Sequence, residues 1–505
     1  MKNRVLSLIV GCVAMLSSVV ASAQSLNTSY FMEGSYFRTD LNPALTPTSG
    51  FVAIPILSGV ALDVQSNFLS VDNFFFKRDE GVVSAFHGSV SPEEFLGRLP
   101  SVEKLGLGLD MNILSAGFFH KSMFWNFGVN LRANGDMTLS KDLFTALKTF
   151  GNGAYDLSGT ELNLNAYAEV YVGTTYPVLD WIDVGARLKF LLGLCNASGS
   201  FDDISVNASP DSISGRIRGQ LRLSGMMFNQ SEAVAGEVIS ADMLSMSGAM
   251  GFGLGLDLGT EIRLLDGDLK LSAAVTDLGF IKWSKKGSVY ADVNGDLYFN
   301  GVNFNTGEAD SAMEFKAAYA DAAADGYTTR LNCAINVGGE YNILDNRIGF
   351  GLMSHTEFCH TFVRSELTAS VNFRPLKWLS ASLSHTVFAR NDAGVIGAAL
   401  NIHPDGFNVF IGADYLDLTQ VKYGTMNVPR RANSVNVYMG IGFNIGEYHG
   451  KTKAKSKAKA KVMEVAPDAT AATPENTPHV IPEEEGATEA TEATEATEAT
   501  EATEQ

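Results

Sequence analysis

From residue 50 to residue 446 most of the chain alternates apolar and polar positions with period two, the mark of strands rather than helices. In the last run Val435, Val437, Met439, Ile441, Phe443 and Ile445 share one face, against Asn436, Tyr438, Gly440, Gly442, Asn444 and Gly446. Another sets Met250, Phe252, Leu254, Leu256 and Leu258 against Gly251, Gly253, Gly255, Asp257 and Gly259. Leu162 to Val172 alternates with Asn163, Asn165, Tyr167, Glu169 and Tyr171; Val184 to Leu192 alternates with Gly185, Arg187, Lys189 and Gly193. These runs reach about ten residues or more, beyond the ~5–6 of ordinary sheets and matched to a tilted bilayer crossing. A soluble sandwich alternates too. Here the apolar face stays clean strand after strand, while the other collects Gly, Asn, Ser and charge, as a lumen does. Lipid forbids open sheet edges, so such strands must close. The pattern predicts an all-β chain, a closed antiparallel transmembrane β-barrel of about 14 strands within a range of 12–16.

The punctuation agrees. Leu265-Asp266-Gly267-Asp268, Leu344-Asp345-Asn346-Arg347 and Val293-Asn294-Gly295-Asp296 read as compact turns. The intervals 70–104, 140–160, 227–246 and 303–327 are longer and more polar. Short turns on one side and long loops on the other is the asymmetry of outer-membrane barrels, with Asp266-Gly267 and Asp345-Asn346 assigned to the periplasmic side. Trp125, Trp181, Trp283 and Trp378 all fall at the ends of strand runs, which predicts an interfacial girdle. Two of them follow related Pro-containing stretches, Tyr176–Trp181 and Phe373–Trp378. Ser91-Pro92-Glu93-Glu94 is a capping box with Pro at the first helical position. Ser140 is placed to cap a second short helix holding Leu143, Phe144, Leu147 and Phe150. Whether these loop helices form a lid or only pack the loops stays open.

Composition sharpens the picture. Charged residues are 18% of the chain, below the ~25% of soluble domains. Yet nothing outside the N-terminus approaches ~18 continuous apolar residues, so the apolar content is dispersed over strands. A net charge of −19 disfavours nucleic acid as a partner. Residues 1–23 read as a signal peptide: Lys2 and Arg4, an apolar core from Val5 to Leu16, and Ala21-Ser22-Ala23 with cleavage between Ala23 and Gln24. A lipoprotein reading at Cys12 is opposed by its early position and by the apolar run continuing past it. Cys195, Cys333 and Cys359 then remain, an odd number read as small apolar residues rather than a disulfide framework.

Candidate chemistry is sparse. His355-x-Glu357-x-Cys359 puts three potential ligands on one strand face, with His360 opposite, but neighbours on a face stand ~7 Å apart and a metal site needs convergence and a second shell. Ser354-His355 and Ser384-His385 are sequence neighbours that point to opposite faces, so neither is a nucleophile–base pair. Asp292, Asn294 and Asp296 imitate the start of a calcium loop, but Gly295 is misplaced and position 303 is Asn, so a hairpin turn explains them better. No cofactor, metal or catalytic residue is assigned, and an enzyme is not expected.

Between the signal and the barrel, Thr39-Asp40-Leu41-Asn42-Pro43-Ala44-Leu45 precedes the Pro-broken run Gly50–Ile56. With Ser35–Arg38, the loop helix after Ser91 and Pro375-Leu376-Lys377-Trp378, it resembles a family of Bacteroidota outer-membrane barrels of unknown function. These are distantly similar to FadL-type fatty-acid channels and PorV-type secretion proteins, and the resemblance covers about residues 30–446. It implies that the segment 24–49 folds into the lumen as a hatch, with Asn42, Pro43 and Ala44 lining the plug. The segment is short and matches no fatty-acid pocket residue by residue, so the resemblance implies architecture and suggests transport.

After Glu447 the alternation stops. Six lysines from Lys451 to Lys461 alternate with small residues, and six Ala-Thr-Glu triplets follow from Ala487 to Glu504. Like charges repel along such a repeat, so 447–505 is expected to be disordered. An even strand number places it in the periplasm, where the Lys451–Lys461 run either touches an envelope or cell-wall partner or is a solvated linker. The expected function is passive uptake of a small hydrophobic ligand across a bacterial outer membrane, the barrel wall facing membrane lipid. The alternative is a non-transporting barrel that binds or anchors envelope proteins. An aromatic-lined lumen pocket would favour the first; a filled lumen with an exposed loop platform, the second.

Overall fold

The computed structural model describes residues 27–53, 59–79, 81–149, 153–209, 212–226, 250–302, 309–319, 326–388, 391–416, 420–423, 426–429 and 434–446. The signal sequence with Cys12, Ala23 and Gln24, Phe150, and the tail with Lys451–Lys461 lie outside these residues.

Fourteen antiparallel strands close into one barrel. The first, β1, comes in two pieces, Gly50–Ala53 and Val60–Ser66. There follow β2 (Val102–His120), β3 (Met123–Ser140), β4 (Thr160–Leu179), β5 (Ile182–Ala208), β6 (Gly251–Leu264) and β7 (Leu269–Trp283). The circuit continues with β8 (Cys333–Ile343), β9 (Ile348–Phe358), β10 (Val363–Leu376), β11 (Leu379–Phe388), β12 (Asn391–Ile402), β13 (Asn408–Leu416) and β14 (Ser434–Ile445). Each pairs with its chain neighbour, and β14 returns to β1 through Gly50↔Ile445 and Val60↔Met439. Closure removes the exposed edges that a strand sheet otherwise presents.

The alternation sorts as expected. On β14, Val437, Met439, Ile441, Phe443 and Ile445 are exposed on the outer wall, while Asn436 and Tyr438 are buried inside. On β6, Phe252, Leu254 and Leu258 face outward and Asp257 is fully buried. The connections are asymmetric as well. One end carries the tight turns at 121–122, 180–181, 265–268, 344–347 and 377–378. There Leu265, Asp266, Leu344, Asp345 and Asn346 take positive φ, which Asp and Asn tolerate best. The other end carries the long connections, among them 67–101 and 284–326.

Two expectations are corrected. Val293–Asp296 is not a turn: it lies within the strand Ser288–Val302, paired on both sides, with Gly295 opposite Ile217 and Phe315. That strand belongs to a sheet continuing from the upper part of the 27-residue β5 through Ile213–Gly225. Trp283 is not on the outer surface either. A bulge on β7, where Thr276 and Asp277 together oppose the single residue Asp257 of β6, shifts the alternation of β7. Below it Leu271 faces out; above it Leu278 and Phe280 do, so Ile281 and Trp283 turn inward.

Candidate functional site

The chain from Asn27 to Thr48 lies inside the barrel, touching strands around most of its circumference. Its short helix α1 (Arg38–Leu41) ends at Asn42, whose backbone is extended (φ −158, ψ 113), as a residue before proline prefers. Asn42 Oδ1 accepts the Ala44 N–H at 2.9 Å, and its Nδ2 donates to the Thr260 carbonyl at 3.2 Å. Thr175 donates to the Pro43 carbonyl at 2.6 Å, and Asn336 Nδ2 to the Leu41 carbonyl at 2.7 Å. The lumen face makes room with glycines. A Cβ at Gly185 would overlap the backbone of Pro43, and one at Gly259 would overlap the Asn42 side chain. Tyr30, Phe31, Tyr36 and Phe37 of the segment join Phe51, Phe410 and Tyr438 of the wall in one apolar cluster, Tyr36 stacking on Phe51 at 4.4 Å.

Charge fixes the same segment. Arg187 Nη1 meets Asp40 Oδ1 at 2.5 Å, and its Nη2 donates to Thr39 at 3.0 Å. Glu33 pairs with Lys270 and accepts from Asn346 at 2.9 Å. Burial alone would raise the Glu33 carboxyl, but Lys270, Arg374 and Arg38 outweigh it and hold it well below the usual carboxylate range. A carboxylate stabilised this way keeps its contribution at all pH values above ~4.3 and loses it only as pH falls through the depressed value. This latch is therefore expected to be unchanged between pH 5 and pH 8, a point checked by the protease resistance of residues 27–49 across that range.

Above the plug the lumen holds a charged girdle. Arg132 reaches Asp110 at 2.9 Å and Asp277 at 3.0 Å, and approaches Glu169 at 3.5 Å. Lys189 bridges Asp257 at 2.8 Å and Asp277 at 2.6 Å. The β6–β7 bulge makes this possible. Asp277 sits at φ 57, its N–H on Asp257 Oδ1 at 2.7 Å, so two carboxylates converge on two cations. Across the lumen Arg364 gathers Asp63 at 3.0 Å, Glu357 at 3.3 Å and Glu366 at 2.8 Å. Between plug and girdle is a cavity of about 60 Å³ that water can occupy. Phe37, Asp40 and Leu41 of the plug form part of its lining, with Asp110, Asp277 and His355 of the wall. It is not an aromatic-lined pocket; Phe37 is its only ring besides His355 among the described residues.

The long-loop end is capped by a phenylalanine cluster. Helices α2 (Val71–Phe74), α3 (Pro92–Leu96) and α4 (Asp142–Thr149) bring Phe74, Phe95 and Phe144 edge to face at 5.6–6.3 Å. The capping box forms, Glu94 N–H donating to Ser91 Oγ at 3.2 Å. Phe95 is completely buried, so Phe95→Ala is expected to cost about 3–5 kcal/mol of local stability. Hydrogen exchange should show faster exchange across 68–99 with the barrel strands unchanged.

With this geometry in view, the sequence match is specific: residues 43–414 fit a family of unknown function, DUF5723. The chain belongs to that family. The DUF5723 match opens at Pro43 and runs to Asp414 on β13, so the plug before Pro43 and strand β14 stand outside it. A search of curated proteins finds no match. Among solved structures the chain is similar to the toluene transporter TbuX of Ralstonia pickettii, at 10% identity over 85% of this chain and 96% of that one, with a TM-score of 0.39. The CymD monoaromatic hydrocarbon channel gives 8%, 85%, 96% and 0.37, and the toluene transporter TodX of Pseudomonas putida 8%, 84%, 94% and 0.35.

Asn42, Pro43 and Ala44 sit together against β4, β5 and β6 inside the lumen. Trp125, Trp181 and Trp378 lie beside tight turns at one end, Trp181 and Trp378 on the outer surface. Trp283 is enclosed near the other end, its Nε1 donating to Thr329 at 2.9 Å. His355 and Glu357 face the lumen, but no three His, Cys, Asp or Glu side chains are placed to hold a metal ion among the described residues. The plug's partners Arg187, Lys270 and Arg374, and the girdle, were not assigned from sequence. Alternation puts Arg187, Lys189 and Asp257 on the lumen face; the β5–β6 register, which sets Arg187 opposite Asp257, brings them to one another.

Proposed function

We propose that this protein is a gated outer-membrane channel for small ligands, with residues 27–49 as its gate and the loop cap as its outer cover. The outer wall is apolar from Leu254 on β6 to Met439 on β14, and a barrel is one of two folds that lipid admits. Signal-directed export and a periplasmic short-turn end complete that reading. One observation carries the channel: the plug does not fill the lumen but leaves a cavity of about 60 Å³ between itself and the girdle. The plug is seated through ion pairs and backbone hydrogen bonds that water can replace, so its displacement around Pro43 opens a path. The charged lining favours ligands bearing a polar group over wholly apolar ones, because burying a charge without a partner is costly.

Reconstitution tests this. Liposomes holding plug-displaced barrel should swell in small solutes while those holding the native chain stay tight; equal tightness in both overturns the channel. The membrane assignment has a separate test. Leu254→Arg on the outer wall is expected to cost about 2–4 kcal/mol in bilayer-inserted barrel, measured by urea unfolding from vesicles. An effect below ~1 kcal/mol would place that face outside the hydrocarbon.

The binding-platform reading rests on Phe75 and Phe86, which stand 46% and 45% exposed on the cap. A protein partner retained by the native chain and lost in Phe75→Ser/Phe86→Ser, with no solute passage in any variant, would favour it.

A further inference from the structure

We propose that the mid-lumen cavity is a binding site for a small primary ammonium ion carrying a short apolar group. The inference deepens the channel reading by naming its ligand class, and rests on it only for the ligand's route. Three features of the cavity carry it.

The first is which charges a solute would meet. The Asp40, Asp110 and Asp277 side chains keep 29%, 19% and 17% of their surface accessible. Of the cations that neutralise them, Lys189 keeps 1% and Arg187 none, while Arg132, which shares the lining, keeps 5%. Four carboxylates, Asp40, Asp110, Asp277 and Glu357, share the lining with two guanidiniums, Arg132 and Arg364, so a molecule in the cavity meets more carboxylate than cation. The girdle thus presents a negative inner surface although it is built of ion pairs.

The second is an unpaired acceptor. His355 is 5% exposed and lines the cavity. Its Nδ1 lies 2.6 Å from Asn336 Oδ1. Asn336 spends its Nδ2 on the plug carbonyl of Leu41, so its Oδ1 must accept, and the imidazole hydrogen sits on Nδ1. Nε2 is then a buried lone pair with no hydrogen-bond partner among the described residues. A buried acceptor of this kind is costly until a donor reaches it. An ammonium supplies three N–H donors, enough for Nε2 and two carboxylates.

The third is the rest of the lining. Phe37 and Leu41 of the plug and Ala61 and Ala334 of the wall give an apolar side for a short alkyl group. At ~10–15 Å³ per water position the space corresponds to a handful of non-hydrogen atoms. An inorganic cation fits less well, since no set of three ligating side chains converges there among the described residues. Because Asp40 and Leu41 belong to the plug, the ligand would touch gate and wall together.

The test is calorimetry on the full chain in detergent, titrated with n-propylammonium, n-propanol, propionate, potassium and calcium. Propylammonium should bind saturably, propanol at least about tenfold more weakly, and propionate not at all, as charge-assisted hydrogen bonds require. Equal binding of propanol or propionate, binding of the inorganic cations only, or no binding overturns the proposal. Asp110→Asn should weaken propylammonium about tenfold and leave propanol unchanged; its folding is checked by heat-modifiable mobility. Should it fail to fold, the ligand series on the native chain still decides. Solute passage without ammonium selectivity would overturn the site and leave the channel; selectivity without passage in plug-displaced barrel would uphold the site and overturn the channel.

Discussion

Gly185→Val is expected to unseat the plug and convert a tight barrel into a leaky one. Gly185 faces the Pro43–Ala44 backbone so closely that a single added carbon would overlap both residues. The obstacle is main chain, with no rotamer to yield. Either β5 bends, against its pairing with β4 and β6, or Pro43 leaves, giving up the Thr175 hydrogen bond and the Asn42 turn. Overpacking costs about 1–3 kcal/mol where neighbours adjust, and the strand pairing is the stiffer side. Liposome swelling should rise at least about tenfold, a plug destabilised by ~1.4 kcal/mol or more, and residues 27–49 should become open to protease. Gly135→Val is the matched control, because a Cβ there meets nothing closer than 3.5 Å. Leakage from both variants, or from neither, would show that the plug is not the barrier.

The second large effect concerns the girdle. Arg132→Met keeps an unbranched apolar stem but leaves Asp110, Asp277 and Glu169 facing one another with Lys189 as the remaining nearby cation. Removing one member of a buried ionic cluster costs about 3–5 kcal/mol, because the uncompensated charge stays behind. The unfolding midpoint in vesicles should fall accordingly. Arg132→Lys should recover part of the loss, restoring charge but not the forked contact with Asp277. A midpoint for Arg132→Met within ~1 kcal/mol of the native value would mean that the girdle contributes little.

Much of the fold was legible because a barrel wall is a local code. Each residue of β14 or β6 reports its own side by its polarity, and Asp266-Gly267 and Leu344–Arg347 mark their own turns. What failed was non-local. Trp283 sits at a strand end, where interfacial tryptophans belong, but one bulge six residues earlier reverses its side. Val293–Asp296 has turn composition, but two flanking strands hold it extended, with Asp296 paired to Arg218 at 2.9 Å. The plug was legible only as an Asn-Pro-Ala stretch resembling a hatch. Its anchors Arg187, Lys270 and Arg374 lie far along the chain, and only closure sets them around residues 31–43. His355 carried a metal-like spacing; its bond to Asn336, which frees one nitrogen for the cavity, follows from the β8–β9 register.

The seam between β1 and β14 also orders events in time. Gly50 pairs with Ile445, so the ring closes between the first strand made and the last. The plug lies ahead of that first strand and is synthesised before any wall exists to hold it. Contacts of such sequence separation form slowly, since a long loop must be closed before they return anything. The 27–49 segment must therefore be gathered inward while the sheet is still an open ribbon, or be threaded afterwards through a ring that has no edge. Closure is the last step that still admits the gate.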